Sequence, residues 1–285
     1  MSSTIAQTDI ARSDNAGKDP VARLVQITDC HLGPEEGYAL AGIHTNKSLR
    51  AVLQALAEEQ AEEQLSQASP LPVHLMVTGD IAAHGSPGAY DAFLEHIKGW
   101  QFNWLPGNHD DFPLMQAIAP RVFEPVFGAA NWRLISLNSA VPNRVAGNLP
   151  EDQLDGLISA LRQYSENPVA LFMHHPPADI GCRWLDRQQI ANGDALAEII
   201  GECNNIKAIF TGHVHQAVET DFSGVPLLTT PSTCFQFAPK QNDFGLDVLP
   251  PGYRRINLYG DGSFDTQVVY LSDYPESVDV GIQGY

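Results

Sequence analysis

The chain has 285 residues, of which 44% are hydrophobic, and it carries a formal net charge of −18 at pH 7. This length and apolar content fit a globular protein with a sizeable core, built as one large domain or two small ones. The strong negative charge argues against binding nucleic acid or an anionic membrane through a broad electrostatic surface.

Strand-like and helical segments alternate through the first two-thirds of the chain. Short apolar runs predict strands, and apolar residues at helical spacing predict helices. The predicted strands cover residues 23–28, 73–78, 101–105, 132–138, 169–173, 207–210, 217–221, 226–229, 253–259 and 266–271. The predicted helices cover residues 46–64, 89–98, 149–164 and 193–203. This order indicates a sheet covered by helices, and the extra strands of the last third indicate a second sheet packed on the first.

The two ends of the chain and its cysteines bear on domain organisation and location. Residues 1–22 are polar and contain no apolar segment typical of a secretory signal, so we expect a flexible tail there. Residues 23–272 are expected to form a single domain, followed by a C-terminal tail over residues 273–285. The four cysteines show no CxxC pair, and no apolar run approaches the ~20 residues of a membrane helix. A reduced, cytoplasmic setting without a membrane partner is expected.

Polar clusters directly follow five of the predicted strands. They are Asp29-Cys30-His31, Gly79-Asp80, Gly107-Asn108-His109-Asp110, His174-His175 and His213-Val214-His215. In open α/β sheets, ligands collect beyond the carboxyl ends of the strands, so these clusters are expected to meet in one place. Each cluster alone is a weak signal, because a Gly-Asp pair is commonly a turn. The five together, each after a strand, indicate a functional site.

The last cluster has a spacing of its own. In extended backbone, residues i and i+2 point to the same face. His213 and His215 are therefore expected to converge on one point while Val214 turns away.

The side-chain types in these clusters suit metal ions. Imidazole, carboxylate and amide oxygen, without thiolate, favour Mn, Fe, Zn or Co. The groups are too many for one tetrahedral ion, and seven ligands with a bridging carboxylate fit two ions roughly 3.5–4 Å apart. Asp80, central in the order and bearing two oxygens, is the expected bridge.

The set D-x-H, GD, GNHD, HH and GHxH, which spans Asp29 to His215, resembles the calcineurin-like metallophosphoesterase family. The resemblance implies an α/β fold of four layers, with two mixed sheets flanked by helices. The later segments HHPP with GCRWLD, PSTCFQF, PGYR and a DG turn are similar to the bacterial class III cyclic AMP phosphodiesterases, and they extend the match to residue 265. They raise cyclic AMP above other phosphate esters as the expected substrate.

The resemblance also implies two groups of metal ligands that share one bridging carboxylate. The first ion is held by Asp29, His31 and His215, and the second by Asn108, His174 and His213, with Asp80 bridging the pair. Iron and manganese, as divalent or mixed-valence ions, are the expected metals, and zinc and cobalt are the alternatives. Their local charge would override the negative net charge of the protein and attract a phosphodiester anion.

The remaining site residues receive roles from the same resemblance. His109 takes the place of a non-ligand histidine that faces the scissile phosphate, and Asn108 is expected to act beside it. His175 is expected to support the ligands, and Cys30 to point into the core. Arg183 and His84 are the candidate substrate contacts, while Trp184 and the phenylalanines of PSTCFQF are weaker candidates for stacking on adenine.

The expected reaction is hydrolysis of 3′,5′-cyclic AMP to 5′-AMP. A hydroxide bridging two ions would attack in line, and His109 would give a proton to the departing ribose oxygen. One alternative is a broader phosphodiesterase acting on 2′,3′-cyclic nucleotides, glycerophosphodiesters or aryl esters. A non-catalytic interaction module of the same fold is less favoured, because such a module can lose its ligands and this sequence keeps all seven. The sequence leaves open whether the protein is a monomer or a homodimer.

Overall fold

The computed structural model describes residues 6–10, 15, 17–66, 70–120, 124–282 and 284. Within these residues the chain forms two six-stranded sheets, two short two-stranded ribbons and five α-helices. In the same residues, every helix is too short or too polar to cross a membrane.

The first sheet contains six strands, three of which are parallel neighbours. In spatial order they are β1 (Ala6–Ile10), β16 (Phe264–Tyr270), β15 (Gly252–Leu258), β2 (Ala22–Ile27), β5 (Val73–Thr78) and β6 (Gln101–Leu105). β2, β5 and β6 run parallel, with Ile27 opposite Val77 and Val77 opposite Trp104. β15, β16 and β1 follow β2 as successive antiparallel strands. The carboxyl ends of the three parallel strands therefore lie together at one end of the sheet.

The second sheet has four parallel strands between two antiparallel edge strands. In spatial order they are β11 (Glu219–Phe222), β12 (Val225–Thr229), β10 (Ile206–Thr211), β9 (Val169–Met173), β8 (Trp132–Leu137) and β7 (Val126–Ala129). The two ribbons pair β3 (Ala39–Leu40) with β4 (Ile43–His44) and β13 (Gln236–Phe237) with β14 (Leu246–Asp247).

Three apolar clusters bind these elements into layers. One contains buried side chains from both sheets, among them Met76 of β5 and Phe210 of β10, and fills the space between the sheets. A second covers the outer face of the first sheet with three helices, α1 (Thr45–Ser66), α2 (Pro87–His96) and α3 (Phe112–Ile118). The third covers the outer face of the second sheet with α4 (Glu151–Gln163) and α5 (Gly193–Gly201). The predicted four-layer α/β/β/α sandwich is confirmed.

The origin of the second sheet differs from the expectation. The second sheet is formed by residues 126–229, while the late strands β15 and β16 return to the first sheet beside β2. Strand pairing depends on tertiary contacts, so position in the chain did not reveal it. The sequence also missed α3, a seven-residue helix that begins at the N-cap Asp111, because its apolar pattern covers less than two turns beyond its cap.

The division of the chain at residues 22/23 and 272/273 stays a prediction. Both terminal segments nevertheless contact the domain. β1 pairs antiparallel with β16. Near the other end, Glu276 accepts hydrogen bonds from the backbone N–H of His44 and from Lys47, and the N–H of Asp279 donates to the carbonyl of Ala41 at 2.8 Å.

Candidate metal centre

The polar clusters converge at the carboxyl ends of parallel strands in both sheets. The first sheet supplies the loops after β2, β5 and β6, and the second sheet supplies the loops after β9 and β10. Four groups of three residues each place their ligand atoms within 4.8 Å of one another, and each group is mostly or wholly buried. The groups are Asp29/His31/His215, Asp29/Asp80/His174, His31/Asp80/His109 and His174/His175/His213.

One half of the site gathers Asp29, His31 and His215. Nε2 of His215 lies 3.2 Å from Oδ1 of Asp29 and 3.1 Å from Nε2 of His31. Nε2 of His31 in turn lies 4.0 Å from Oδ1 of Asp29. These three side chains are the ones predicted to share one ion.

The other half gathers His174, Asn108 and His213. Nε2 of His174 lies 3.2 Å from Oδ1 of Asn108, and the rings of His174 and His213 are 5.0 Å apart. Asp80 stands between the halves, because its Oδ2 is 3.3 Å from Nε2 of His174 and 3.9 Å from Nε2 of His31. All seven predicted ligands therefore meet, with Asp80 at the centre.

The backbone that presents these ligands is left-handed rather than extended. Positive φ angles occur at five of the predicted ligands, namely Asp29 (54°), His31 (47°), Asp80 (49°), His213 (67°) and His215 (46°). β10 ends at Thr211, before both histidines, so the expectation that they converge through strand geometry is wrong. Non-glycine residues adopt this conformation at a cost of about 1–3 kcal/mol each, and Asp and His tolerate it better than most.

Backbone hydrogen bonds hold these turns in place. The N–H groups of Asp29 and His31 donate to the carbonyls of Gly79 and Asp80, each at 2.9 Å. Oδ2 of Asp29 accepts from the N–H of His213 at 3.0 Å, which connects a loop of one sheet to a loop of the other. The glycines allow close approach, since a Cβ on Gly107 would lie 2.1 Å from Oδ1 of Asp80.

Hydrogen bonds at Nδ1 direct the other ring nitrogen of two histidines into the site. Nδ1 of His174 donates to the carbonyl of Thr78 at 2.7 Å, and Nδ1 of His215 donates to the carbonyl of Phe235 at 2.8 Å. A carbonyl at Nδ1 fixes the tautomer whose Nε2 lone pair can bind a metal ion.

Two buried ligand atoms of the site have chemistry that fits a metal ion. Oδ1 of Asp29 and Nε2 of His213 are buried and make no hydrogen bond to any of the described residues. Leaving such a group unsatisfied costs about 1–3 kcal/mol, so native proteins rarely do so without a reason. Two orphaned atoms that belong to a set of imidazole, carboxylate and amide donors fit divalent metal ions.

Burial and charge set the protonation of the ligands. Burial lowers the pKa of His31 and of His213 well below the usual value, which favours the neutral imidazole that metals require. Burial raises the pKa of Asp80, but the charges of His174 and His109 outweigh it and leave this pKa well below the ordinary range. Burial also lowers the pKa of His174, yet the Asp80 carboxylate raises it to about 9 overall.

His175 lies next to the ligands but its ring is held by the protein. Its Nε2 donates to the carbonyl of Val145 at 2.9 Å, and its Nδ1 accepts from the hydroxyl of Ser139 at 2.8 Å. Both ring nitrogens are therefore occupied, as expected for a supporting residue. Cys30 is fully buried in the core cluster beneath α1, and burial raises the pKa of its thiol to about 12.

The PSTCFQF segment supports the first half of the site, a role that the sequence did not predict. The hydroxyl of Ser232 donates to the carbonyl of Asp29 at 2.8 Å. The ring of Phe237 stacks on that of His215, with centroids 4.3 Å apart, and the ring of Phe235 faces His31 at 6.0 Å. Both phenylalanines are buried against ligand histidines, which is the packing alternative to stacking on adenine.

The two candidate substrate contacts lie at the surface. His84 is exposed and follows Ala83, whose carbonyl accepts from Nδ1 of His109 at 2.8 Å. Arg183 is exposed and precedes Trp184, whose ring lies 4.9 Å from that of Phe237. Their contact with a substrate stays a prediction.

Comparison with known proteins relates this centre to a family. The sequence model of the calcineurin-like phosphoesterases matches residues 22–217. The chain is 36% identical over 269 residues to the 3′,5′-cyclic adenosine monophosphate phosphodiesterase CpdA of Escherichia coli, covering 92% of this chain and 94% of that protein. It is 34% identical over 277 residues to the protein of the same name from Pseudomonas aeruginosa, covering 96% and 98%.

A solved structure shares the fold at low identity. A dimetal phosphatase from Danio rerio superimposes with a TM-score of 0.63 and 16% identity, covering 92% of this chain and 98% of that one. The family match spans most of the chain, and the bacterial relatives align over nearly all of it. The chain therefore belongs to the calcineurin-like phosphoesterase family.

Proposed function

We propose that the protein hydrolyses 3′,5′-cyclic AMP to 5′-AMP at a two-metal centre. The observation that carries the proposal is the pair of ligand groups joined through Asp80, with two orphaned ligand atoms in the buried site. The family makes the chain a metal-dependent phosphoesterase, and relatives at 34–36% identity that carry the name of cyclic AMP phosphodiesterases support the substrate.

The ligand assignment follows the two halves of the site. Asp29, His31 and His215 would hold one ion, Asn108, His174 and His213 would hold the other, and Asp80 would contribute to both. When bound, such ions lower the pKa of water and stabilise negative charge on phosphoryl oxygens. The donor set suits an iron–manganese pair, with zinc or cobalt as substitutes.

His109 is the proposed proton donor to the leaving ribose oxygen. Its Nδ1 donates to the carbonyl of Ala83, so the proton that it exchanges resides on Nε2. Its backbone N–H donates to Oδ1 of Asp80 at 2.9 Å, which fixes His109 beside the central carboxylate. The ribose oxygen leaves as an alkoxide unless it is protonated, and a positioned imidazole can supply that proton.

Asn108 and the exposed contacts complete the proposal. The amide oxygen of Asn108 lies 3.2 Å from Nε2 of His174 in the second ligand group. A ring nitrogen of the neighbouring His109 lies within 4.8 Å of ligand atoms of His31 and Asp80. Arg183 and His84 are proposed to contact the nucleotide from the rim of the site.

All four cysteines are free thiols, which supports a cytoplasmic location.

The test is product analysis on a set of three esters. Protein stripped of metal with a chelator and reloaded with Mn²⁺ is assayed with cyclic AMP, 2′,3′-cyclic AMP and bis(p-nitrophenyl) phosphate. We expect metal-dependent release of 5′-AMP, with cyclic AMP preferred in kcat/KM. Turnover of the aryl ester without cyclic AMP hydrolysis would replace the substrate with a broader class, and metal binding without turnover of any ester would favour an interaction module.

A further inference from the structure

Arg254, the arginine of the PGYR segment, is fully buried between the two sheets. It forms no ion pair with the described residues. Its guanidinium donates instead to Thr230 Oγ1 (3.2 Å), Thr266 Oγ1 (3.1 Å) and the carbonyl of Thr229 (2.7 Å). Burial lowers its pKa to about 10, so it is still charged at neutral pH. The charge of Glu219 opposes this shift without contacting the guanidinium. Burying a charge without a direct ion pair costs several kcal/mol, which suggests that the arginine has a structural role.

A chain of buried hydrogen bonds leads from Arg254 to the metal centre. The hydroxyl of Thr230 donates to Oε1 of Gln26 at 2.6 Å. This bond orients the amide, so that Nε2 of Gln26 donates to Oγ1 of Thr78 at 2.8 Å and to the carbonyl of Thr211 at 3.1 Å. All five of these residues are fully buried, and every bond in the chain has its donor and acceptor defined.

The chain of bonds joins the two sheets next to the strand ends from which the ligand loops start. Gln26 and Arg254 belong to β2 and β15 of the first sheet, while Thr211 ends β10 of the second sheet. Thr78 is likewise the last residue of β5, and its carbonyl accepts from Nδ1 of His174. Asp80 therefore lies two residues after Thr78, and His213 lies two residues after Thr211, so each of these ligands closely follows a residue that accepts a hydrogen bond from Gln26.

We propose that Gln26 and Arg254 form a cross-sheet clamp that sets the spacing between the two halves of the metal centre. The inference rests on the ligand assignment proposed above. In that assignment each ion takes ligands from both sheets, since His215 joins Asp29 and His31 at the first ion, and Asn108 joins two histidines of the second sheet at the other. The separation of the sheets then determines the ligand distances at both ions. Gln26 and Arg254 are positioning residues, because their side-chain hydrogen bonds within the described part of the chain go to threonines rather than to a predicted ligand side chain.

The geometry of the guanidinium explains why position 254 carries an arginine rather than a lysine. Its three nitrogens reach three separate acceptors, one on the last residue of β12, one on the residue that follows it and one on β16. A lysine ammonium is a single point of charge on a flexible stem and cannot reproduce this planar fork. A lysine at position 254 is therefore expected to keep the positive charge but to hold the two sheets at their normal spacing only in part.

The test measures Mn²⁺ binding to metal-free Arg254→Met and Gln26→Met by calorimetry, and the magnetic coupling of the bound Mn²⁺ pair by electron paramagnetic resonance. We expect affinity for the ion pair to fall about 10- to 100-fold, the range typical of residues that orient metal ligands. The coupling should also change, since it depends on the separation of the ions. Arg254→Lys should recover part of the affinity.

Arg255→Met is the matched control. Arg255 is the next residue of β15, lies on the opposite face of the sheet, and pairs with Glu59 on α1. It should bind Mn²⁺ as the wild type does. If Arg254→Met does not fold, Thr230→Val interrupts the same chain of bonds and should show the same loss. Wild-type affinity and coupling in the folded clamp variants, with only a lower Tm, would overturn the clamp. A wild-type protein that binds fewer than two ions would instead overturn the metal centre itself.

Discussion

Replacing Asp80 with asparagine is expected to lower kcat for cyclic AMP hydrolysis by about 10³-fold, because the substitution removes the carboxylate that we propose binds both ions. Oδ2 of Asp80 lies 3.3 Å from Nε2 of His174 and 3.9 Å from Nε2 of His31. Asparagine keeps the size of the side chain, but its amide carries no charge and offers a single oxygen. The measurement is steady-state kinetics with metal content determined on the same samples.

A second carboxylate provides the control for this substitution. Asp265 lies on β16, where it accepts from Asn257 at 2.8 Å, and it has no part in the centre. Asp265→Asn should keep wild-type kcat and metal content. If Asp80→Asn retained both ions and at least a tenth of the wild-type kcat, the bridging role of Asp80 would be wrong.

Replacing His109 with alanine is expected to separate two kinds of substrate. General acid catalysis contributes about 10²- to 10⁴-fold, so kcat for cyclic AMP should fall by that factor. Hydrolysis of bis(p-nitrophenyl) phosphate should fall far less, because p-nitrophenolate leaves without protonation. The comparison of the two esters distinguishes loss of a proton donor from general damage to the site.

His74 offers a histidine control on a neighbouring strand of the same sheet. It lies near the start of β5, and its Nε2 is 2.7 Å from Oδ1 of Asn103, on the strand beside it. His74→Ala should leave the ratio of the two activities unchanged. Full activity of His109→Ala on cyclic AMP, or an equal loss on both esters, would exclude His109 as the proton donor.

The candidate site could be located from the sequence because its signal is local. Each cluster directly follows a strand, and Val73–Thr78, Gln101–Leu105 and Val169–Met173 have the bounds that the apolar runs predicted. Parallel strands bring their carboxyl ends together, so position after a strand was enough to predict convergence. The chemistry of the side chains then predicted metals.

The features that the sequence did not reveal depend on tertiary contacts. The left-handed turns at Asp29 and His213 exist because hydrogen bonds from distant loops hold them, and no local pattern encodes those bonds. The placement of β15 beside β2 has the same origin. Gln26 and Arg254 lie within strands, where the sequence does not distinguish them from other polar residues. A charged residue in an otherwise apolar strand is nevertheless unusual, so Arg254 could have been singled out as a candidate for a special role.

We expect hydrolysis of cyclic AMP to require two ions, held by the seven proposed ligands. The most direct test of this requirement is a titration of the metal-free protein with Mn²⁺, in which release of 5′-AMP is followed at each addition. We expect activity to rise until two equivalents of Mn²⁺ per chain are bound and then to stay constant. Full activity at one equivalent, or saturation at two equivalents without 5′-AMP, would contradict this expectation.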